Sequence, residues 1–234
     1  MTNKLKYFIG NWKMFGNFSS IKIIYQIHRF CLKFHRYNKN NKIVLCVPDT
    51  LIFFFTKKLR SKFISIGAQN CHHHSNYGPF TGSVSALMLK NAGAKYIILG
   101  HSENRREGDT NQKIKNKIES ALNQKLNIVF CIGENIKEKK KGKTFFVLKQ
   151  QLKYSINEKF NLNKIIIAYE PVWSIGTGKI PKIKELIKTF KFIKNEFKRN
   201  FKTKKFPVVL YGGSVNDTNI GLFSSISEID GFLI

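Results

Sequence analysis

Polar side chains that follow directly on short apolar runs are the candidates for chemistry in this sequence, and they are of few kinds. Asn11 and Lys13 follow Tyr7 to Gly10, while His101, Ser102 and Glu103 follow Tyr96 to Leu99. Glu170 follows Ile165 to Ala168, and Tyr211-Gly212-Gly213-Ser214-Val215 begins where Val208 to Leu210 ends. A base, an imidazole, an ammonium and a Gly-rich turn are a set suited to acid–base work. Each has an ordinary reading when taken singly, since a His after a strand is commonly a satisfied polar residue and a Glu before Pro a turn former. Their joint placement after strands carries the functional reading.

Elements that could bring these residues together are legible from period. Eight short β-branched or aromatic runs read as strands: Tyr7 to Gly10, Ile43 to Val47, Phe63 to Ala68, Tyr96 to Leu99, Ile128 to Cys131, Ile165 to Ala168, Val208 to Leu210 and Ile229 to Leu233. Seven amphipathic stretches fill the gaps: Ile21 to Lys33, Leu51 to Leu59, Ser85 to Asn91, Asn111 to Leu126, Thr144 to Glu158, Ile183 to Lys198 and a short one at Asp217 to Phe223. Runs apolar on both faces, joined by crossovers long enough for a helix, predict a parallel sheet with helices outside it. Eight such units predict an α/β fold of the closed (β/α)8 barrel type, in one domain over residues 1–234, whose functional groups gather at the strand ends. The turn after the first strand, Gly10-Asn11-Trp12-Lys13-Met14, lacks the GxGxxG pattern of a dinucleotide site.

Composition bounds the function classes. With 234 residues, 42% apolar and 24% charged, the chain is an ordinary globular domain and neither disordered, fibrous nor a disulfide scaffold. Its apolar runs stop far short of the ~18 residues of a spanning helix, and Met1 to Lys6 is polar with no apolar leader core. A cytoplasmic protein is expected. Cys31, Cys46, Cys71 and Cys131 show no CxxC spacing and are expected to be free. The net charge of +27 suggests a polyanion partner at first sight. However, the lysines scatter, no nucleic-acid motif accompanies them, and abundant Lys, Asn, Ile and Phe are what AT-rich codons supply. Nucleic acid is therefore not the expected partner, although such a field draws in small anions. Cys71-His72-His73-His74 are consecutive and cannot easily aim at one ion, so no metal is expected. Ile175-Gly176-Thr177-Gly178-Lys179 lacks P-loop spacing, and no cofactor is expected.

Six motifs in order, Gly10 to Met14, Gly100-His101-Ser102-Glu103, Cys131-Ile132-Gly133-Glu134, Ala168-Tyr169-Glu170-Pro171-Val172-Trp173, Ile175 to Lys179 and Tyr211 to Val215, resemble the triosephosphate isomerase family along nearly the whole chain. The resemblance implies a TIM barrel, a triose phosphate substrate and isomerisation of dihydroxyacetone phosphate and glyceraldehyde 3-phosphate. It implies Glu170 as base and His101 as the neutral imidazole that polarises the carbonyl. Lys13 is implied as fixed positive charge supported by Asn11, and Glu103 as the carboxylate that positions Lys13. Pro171 to Lys179 resembles the lid, with Gly176 reaching the phosphate and Tyr211 holding the closed lid. Gly212, Gly213 and Ser214, expected to open a helix, form the anion-binding turn. Ser174 stands where the family usually has alanine.

By the same resemblance Gly78-Pro79-Phe80-Thr81-Gly82 matches a loop that docks into a partner subunit near Asn11 and Lys13, with Met14, Gln69 and Asn70 joining, which implies a homodimer. Asn104 before Arg105 and a shorter approach to Asp109 depart from the commonest pattern, so no arginine is assigned to pair across that loop. The sequence stops at Asp230-Gly231-Phe232-Leu233-Ile234. Family members continue with a Gly-Gly turn and a last helix, so the barrel is expected to lack both and to expose apolar surface around Phe8, Ile229 and Phe232. The alternative reading is a catalytically decayed basic barrel that binds polyanions.

Overall fold

Alternation along each strand sorts side chains into two layers. In the computed structural model, which describes residues 6–34, 40–59 and 61–234, eight parallel strands close into a barrel in sequence order. They are β1 (Lys6–Asn11), β2 (Asn41–Cys46), β3 (Ile64–Ala68), β4 (Tyr96–Leu99), β5 (Asn127–Ile132), β6 (Ile165–Tyr169), β7 (Val208–Tyr211) and β8 (Gly231–Leu233). Along β5, Val129 and Cys131 point into the barrel with Ile9, Val44, Ile98, Ile166, Ala168, Leu210 and Leu233. Ile128, Phe130 and Ile132 point outward into the larger layer beneath the helices. Each fully buried aliphatic side chain contributes roughly 1.5–3 kcal/mol, so both layers favour this register over a one-residue slip that would exchange them. The polar start from Met1 lies, apart from Lys6, outside the described residues.

Helices α1 (Ile21–Lys33), α2 (Asp49–Lys58), α3 (Ala86–Asn91), α4 (Ser102–Arg106), α5 (Asn111–Asn123), α6 (Ile136–Lys140), α7 (Thr144–Ser155), α8 (Ile183–Asn200) and α9 (Ile220–Ser224) cover the barrel. Two of these, α4 and α6, exceed the seven expected, because five residues are too few to show a helical period. Asn135 caps α6 in a reciprocal box with Glu138, and Lys139 and Lys140 lie in its last turn. Inside the wall, Lys117 of α5 pairs with both oxygens of Asp109 at 2.7 and 2.8 Å and donates to Asn70 Oδ1 at 3.0 Å. The Asn70 contact ties α5 to the loop after β3, and the Asp109 pair ties it to the turn that precedes it.

The seam between β8 and β1 corrects an expectation. Ile229 and Phe232 are fully buried, not exposed, because β8 hydrogen-bonds β1 in register, Phe8 opposite Phe232. The two rings pack with centroids 5.9 Å apart, and both residues join one apolar layer with Ile24, Phe223 and Ile226. Only Phe8 stays half-exposed. All four cysteines are buried free thiols.

Candidate active site

The inward parity of the strands runs on past their ends. Ile9 is followed two residues later by Asn11, Ala168 by Glu170 and Leu210 by Gly212, so these three groups arrive at the barrel mouth by alternation alone. With Lys13, His101, Gly176, Gly213 and Ser214 they line one cleft of about 360 Å³. Two glycines make this possible by close approach. A Cβ at Gly133 would lie 1.7 Å from the Glu170 carbonyl oxygen, and one at Gly212 would lie 2.8 Å from Glu170 Cγ. Glu170 thus sits where neighbouring strand ends carry no side chain.

His101 precedes α4, and its Nδ1 accepts the Glu103 backbone N–H at 3.2 Å. A ring nitrogen that accepts cannot carry the proton, so the neutral ring holds its hydrogen on Nε2, 3.4 Å from Glu170 Oε1. Burial drives the imidazole pKa down to about 4; the Glu103 carboxylate opposes this, and Lys13 and Arg106 add to it. The ring is therefore a neutral N–H donor at physiological pH. Lys13 has a left-handed backbone, φ +51°, a conformation costing about 1 kcal/mol or more outside glycine. Its N–H donates to Asn11 Oδ1 at 3.1 Å and its Nζ to Glu103 Oε1 at 2.7 Å, which holds the ammonium in place. Burial works against the Glu103 charge, but the Lys13 hydrogen bond and the neighbouring cations outweigh it and lower its pKa.

Glu170 is the converse case. It is almost wholly buried, and burial raises its pKa to about 8 against weaker opposing help from the Cys131 thiol, which hydrogen-bonds it, and from Lys13. A carboxylate kept from water is a stronger base once ionised. Beneath it Arg105, itself largely buried, donates to the Gly100 carbonyl at 2.7 Å, the Cys131 carbonyl at 3.3 Å and Asn111 Oδ1 at 2.8 Å. It braces the ends of β4 and β5 that carry His101 and Cys131.

The segment after β6 starts from an anchored hinge. Trp173 Nε1 donates to Glu134 at 2.9 Å, the Tyr169 hydroxyl donates to the same carboxylate at 3.2 Å, and Lys139 Nζ lies 3.7 Å from the Trp173 ring centroid. Farther on, Gly178 N–H donates to Ser214 Oγ at 3.2 Å. The helix expected from Asp217 begins only at Ile220. Asn216 Oδ1 accepts from the N–H groups of Thr218 and Asn219, and such a side-chain turn competes with the first helical turn. The N–H groups of Gly213 and Ser214 consequently belong to a loop and not to a helix start.

The residues expected from sequence to do acid–base work or hold phosphate, Asn11, Lys13, His101, Glu170, Gly176, Gly212, Gly213 and Ser214, line this mouth; Glu103 reaches it through Lys13, and Tyr211 and Ser174 lie outside its lining. The mouth opens on a second recess of about 330 Å³ lined by Asn11, Lys13, Met14, Gln69, Asn70, His101 and Glu103. Sequence reasoning gave Cys131 and Gly133 no role although it marked their motif, and it missed the inward brace formed by Arg105. A base held by a thiol and by two absent side chains leaves no signature beyond small residues beside a strand end. The group can remove a proton from carbon next to a carbonyl while His101 donates to that oxygen.

A family model described as triosephosphate isomerase matches residues 6–234. The chain is 37% identical over 237 residues to a triosephosphate isomerase of Dictyoglomus thermophilum, covering 98% of this chain and 92% of that one. It is 36% identical over 228 residues to that of Aquifex aeolicus, covering 96% and 91%. A crystal structure of triosephosphate isomerase from Bartonella henselae superposes with a TM-score of 0.88 at 33% identity, covering 98% and 91%.

Proposed function

We propose, from the premise that this chain belongs to the triosephosphate isomerase family and so interconverts dihydroxyacetone phosphate and glyceraldehyde 3-phosphate, that the residues of the barrel mouth divide the work as follows. Glu170, in its ionised form, takes the proton from the carbon next to the carbonyl. His101, through Nε2–H, hydrogen-bonds the carbonyl oxygen and passes a proton between the two oxygens of the enediolate, whose negative charge Lys13 and Asn11 stabilise. Glu170 then returns its proton to the neighbouring carbon, so that atoms and electrons balance within the substrate. Glu103 keeps Lys13 aimed, and Gly176, Gly212, Gly213 and Ser214 hold the phosphate. The reaction serves glycolysis and gluconeogenesis.

One observation carries this reading: a buried carboxyl of raised pKa stands 3.4 Å from a buried imidazole of lowered pKa whose free hydrogen faces it. Such opposed shifts in adjacent groups mark the acid–base assignment. Nothing in the fold favours the decayed, polyanion-binding alternative. The test is isomerisation of glyceraldehyde 3-phosphate by the purified chain, coupled to a dehydrogenase reporter, beside Glu170→Gln. Turnover present in the parent and lost in the variant is expected; equal rates would overturn the assignment.

The proposal extends to a single domain over residues 1–234 acting as a homodimer in the cytoplasm. Met14 and Phe15 are 95% and 75% exposed beside the second recess, an apolar rim that a partner's loop around Thr81 would cover. Among the described residues no helix is long and apolar enough to cross a membrane.

A further inference from the structure

Ser174, just inside the lid, has no part in the acid–base chemistry, yet it is completely buried. A hydroxyl has one hydrogen to give and two lone pairs to fill, and the surroundings of this one match that capacity. Its Oγ donates to the Lys179 carbonyl at 2.5 Å and lies 3.4 Å from Tyr211 Oη and from the Ser214 backbone N. With the serine hydrogen committed to Lys179, Tyr211 must be the donor in their contact. Ser174's own carbonyl accepts from Ser214 Oγ at 2.7 Å and from Thr177 Oγ1 at 3.2 Å. Among the described residues the Tyr211 hydroxyl has no hydrogen-bond partner but Ser174.

We propose that Ser174 is a positioning residue for the isomerisation, a one-atom clasp that joins the start of the lid, its end at Lys179 and the phosphate turn at Ser214. The inference rests on the lid and phosphate-turn assignments above. Through the clasp, Gly176 and the Gly212 to Ser214 turn meet the phosphate as one unit. Replacing serine by alanine deprives a carbonyl, a phenol and an N–H of the same partner at once. The lid then opens while the enediolate is still bound. In water the enediolate oxygen re-forms a carbonyl as the carbon–carbon double-bond pair shifts and the C–O bond to phosphate breaks. Inorganic phosphate leaves with the bonding pair, and the remaining enol tautomerises to methylglyoxal with no oxidant required.

The experiment compares the parent, Ser174→Ala, Tyr211→Phe and the double variant by isomerisation kinetics and by inorganic phosphate released per turnover. Ser174→Ala is expected to lower kcat/KM about ten-fold and to raise phosphate release several-fold, a partition that altered stability alone would leave unmoved. Tyr211→Phe added to it should change little further, because both arms end on one oxygen. A partition within about two-fold of the parent, or effects that multiply independently, would overturn the clasp. Ser174→Cys serves the same comparison if the alanine variant does not fold. A parent without turnover would instead sink the catalytic assignment. The clasp is then read from inorganic phosphate titrated against tryptophan fluorescence, where an about ten-fold weaker Kd in Ser174→Ala supports it and an unchanged Kd overturns it.

Discussion

Glu170→Gln exchanges a carboxyl that burial keeps neutral for an amide of nearly the same shape, so its effect on stability should depend on pH in a way the structure dictates. The folded chain holds the Glu170 proton up to about pH 8, whereas the ordinary value is 4.5. Across that window the unfolded chain has lost a proton that the folded chain retains, and the parent's stability falls as pH rises. At about 1.4 kcal/mol per pH interval the deficit grows to about 5 kcal/mol near pH 8, as an upper figure. Glutamine never ionises and escapes it. Urea unfolding of parent and variant at one protein concentration, from about pH 5 to about pH 8, should show the variant gaining steadily on the parent. The same substitution is expected to abolish turnover, so the protein should gain stability as it loses the proposed base. Unfolding curves separated by the same amount at every pH would refute the desolvation argument, whatever the activity did.

Three further outcomes follow from the geometry. Gly133→Ala places a methyl 1.7 Å from the Glu170 carbonyl oxygen, and the forced shift of the base should lower kcat about a hundred-fold with smaller change in KM, checked by steady-state kinetics. Lys117→Met leaves Asp109 unpaired at about 10% exposure, which should cost about 3–5 kcal/mol and lower Tm by roughly 10 °C in a calorimetric scan. Thr81→Arg puts charge at the proposed contact and should turn a dimer into a monomer in sedimentation velocity; a parent already monomeric, or a variant still dimeric, would refute the interface.

Strand number, order and ends could be read because residues such as Ile165 to Ala168 alternate between two apolar layers, and α1 keeps its expected bounds because its apolar face repeats over 13 residues. Helices α4 and α6 were not legible, since their five residues are fixed by caps and not by an apolar stripe. The start of α9 was misplaced because a side-chain turn at Asn216 competes with the helix there. At the site, charged and aromatic residues announced themselves by type. Arg105, Cys131 and Gly133 act through what they brace, through one hydrogen bond and through a missing Cβ, and contacts of that kind depend on the whole barrel closing. Burial of Ile229 and Phe232 was likewise hidden, because it comes from pairing between the first and last strands.

The thiol against Glu170 also sets how the molecule ages. Cys131 has no exposure, and burial with the adjacent carboxyl pushes its pKa well above the usual thiol value. Peroxides and alkylating reagents attack the thiolate, so a closed barrel offers them neither the reactive form nor a path to it. Damage at this sulfur therefore waits on unfolding. Its rate reports how often the barrel opens, and the lifetime of the base's neighbour under oxidative stress becomes a kinetic property of the whole fold.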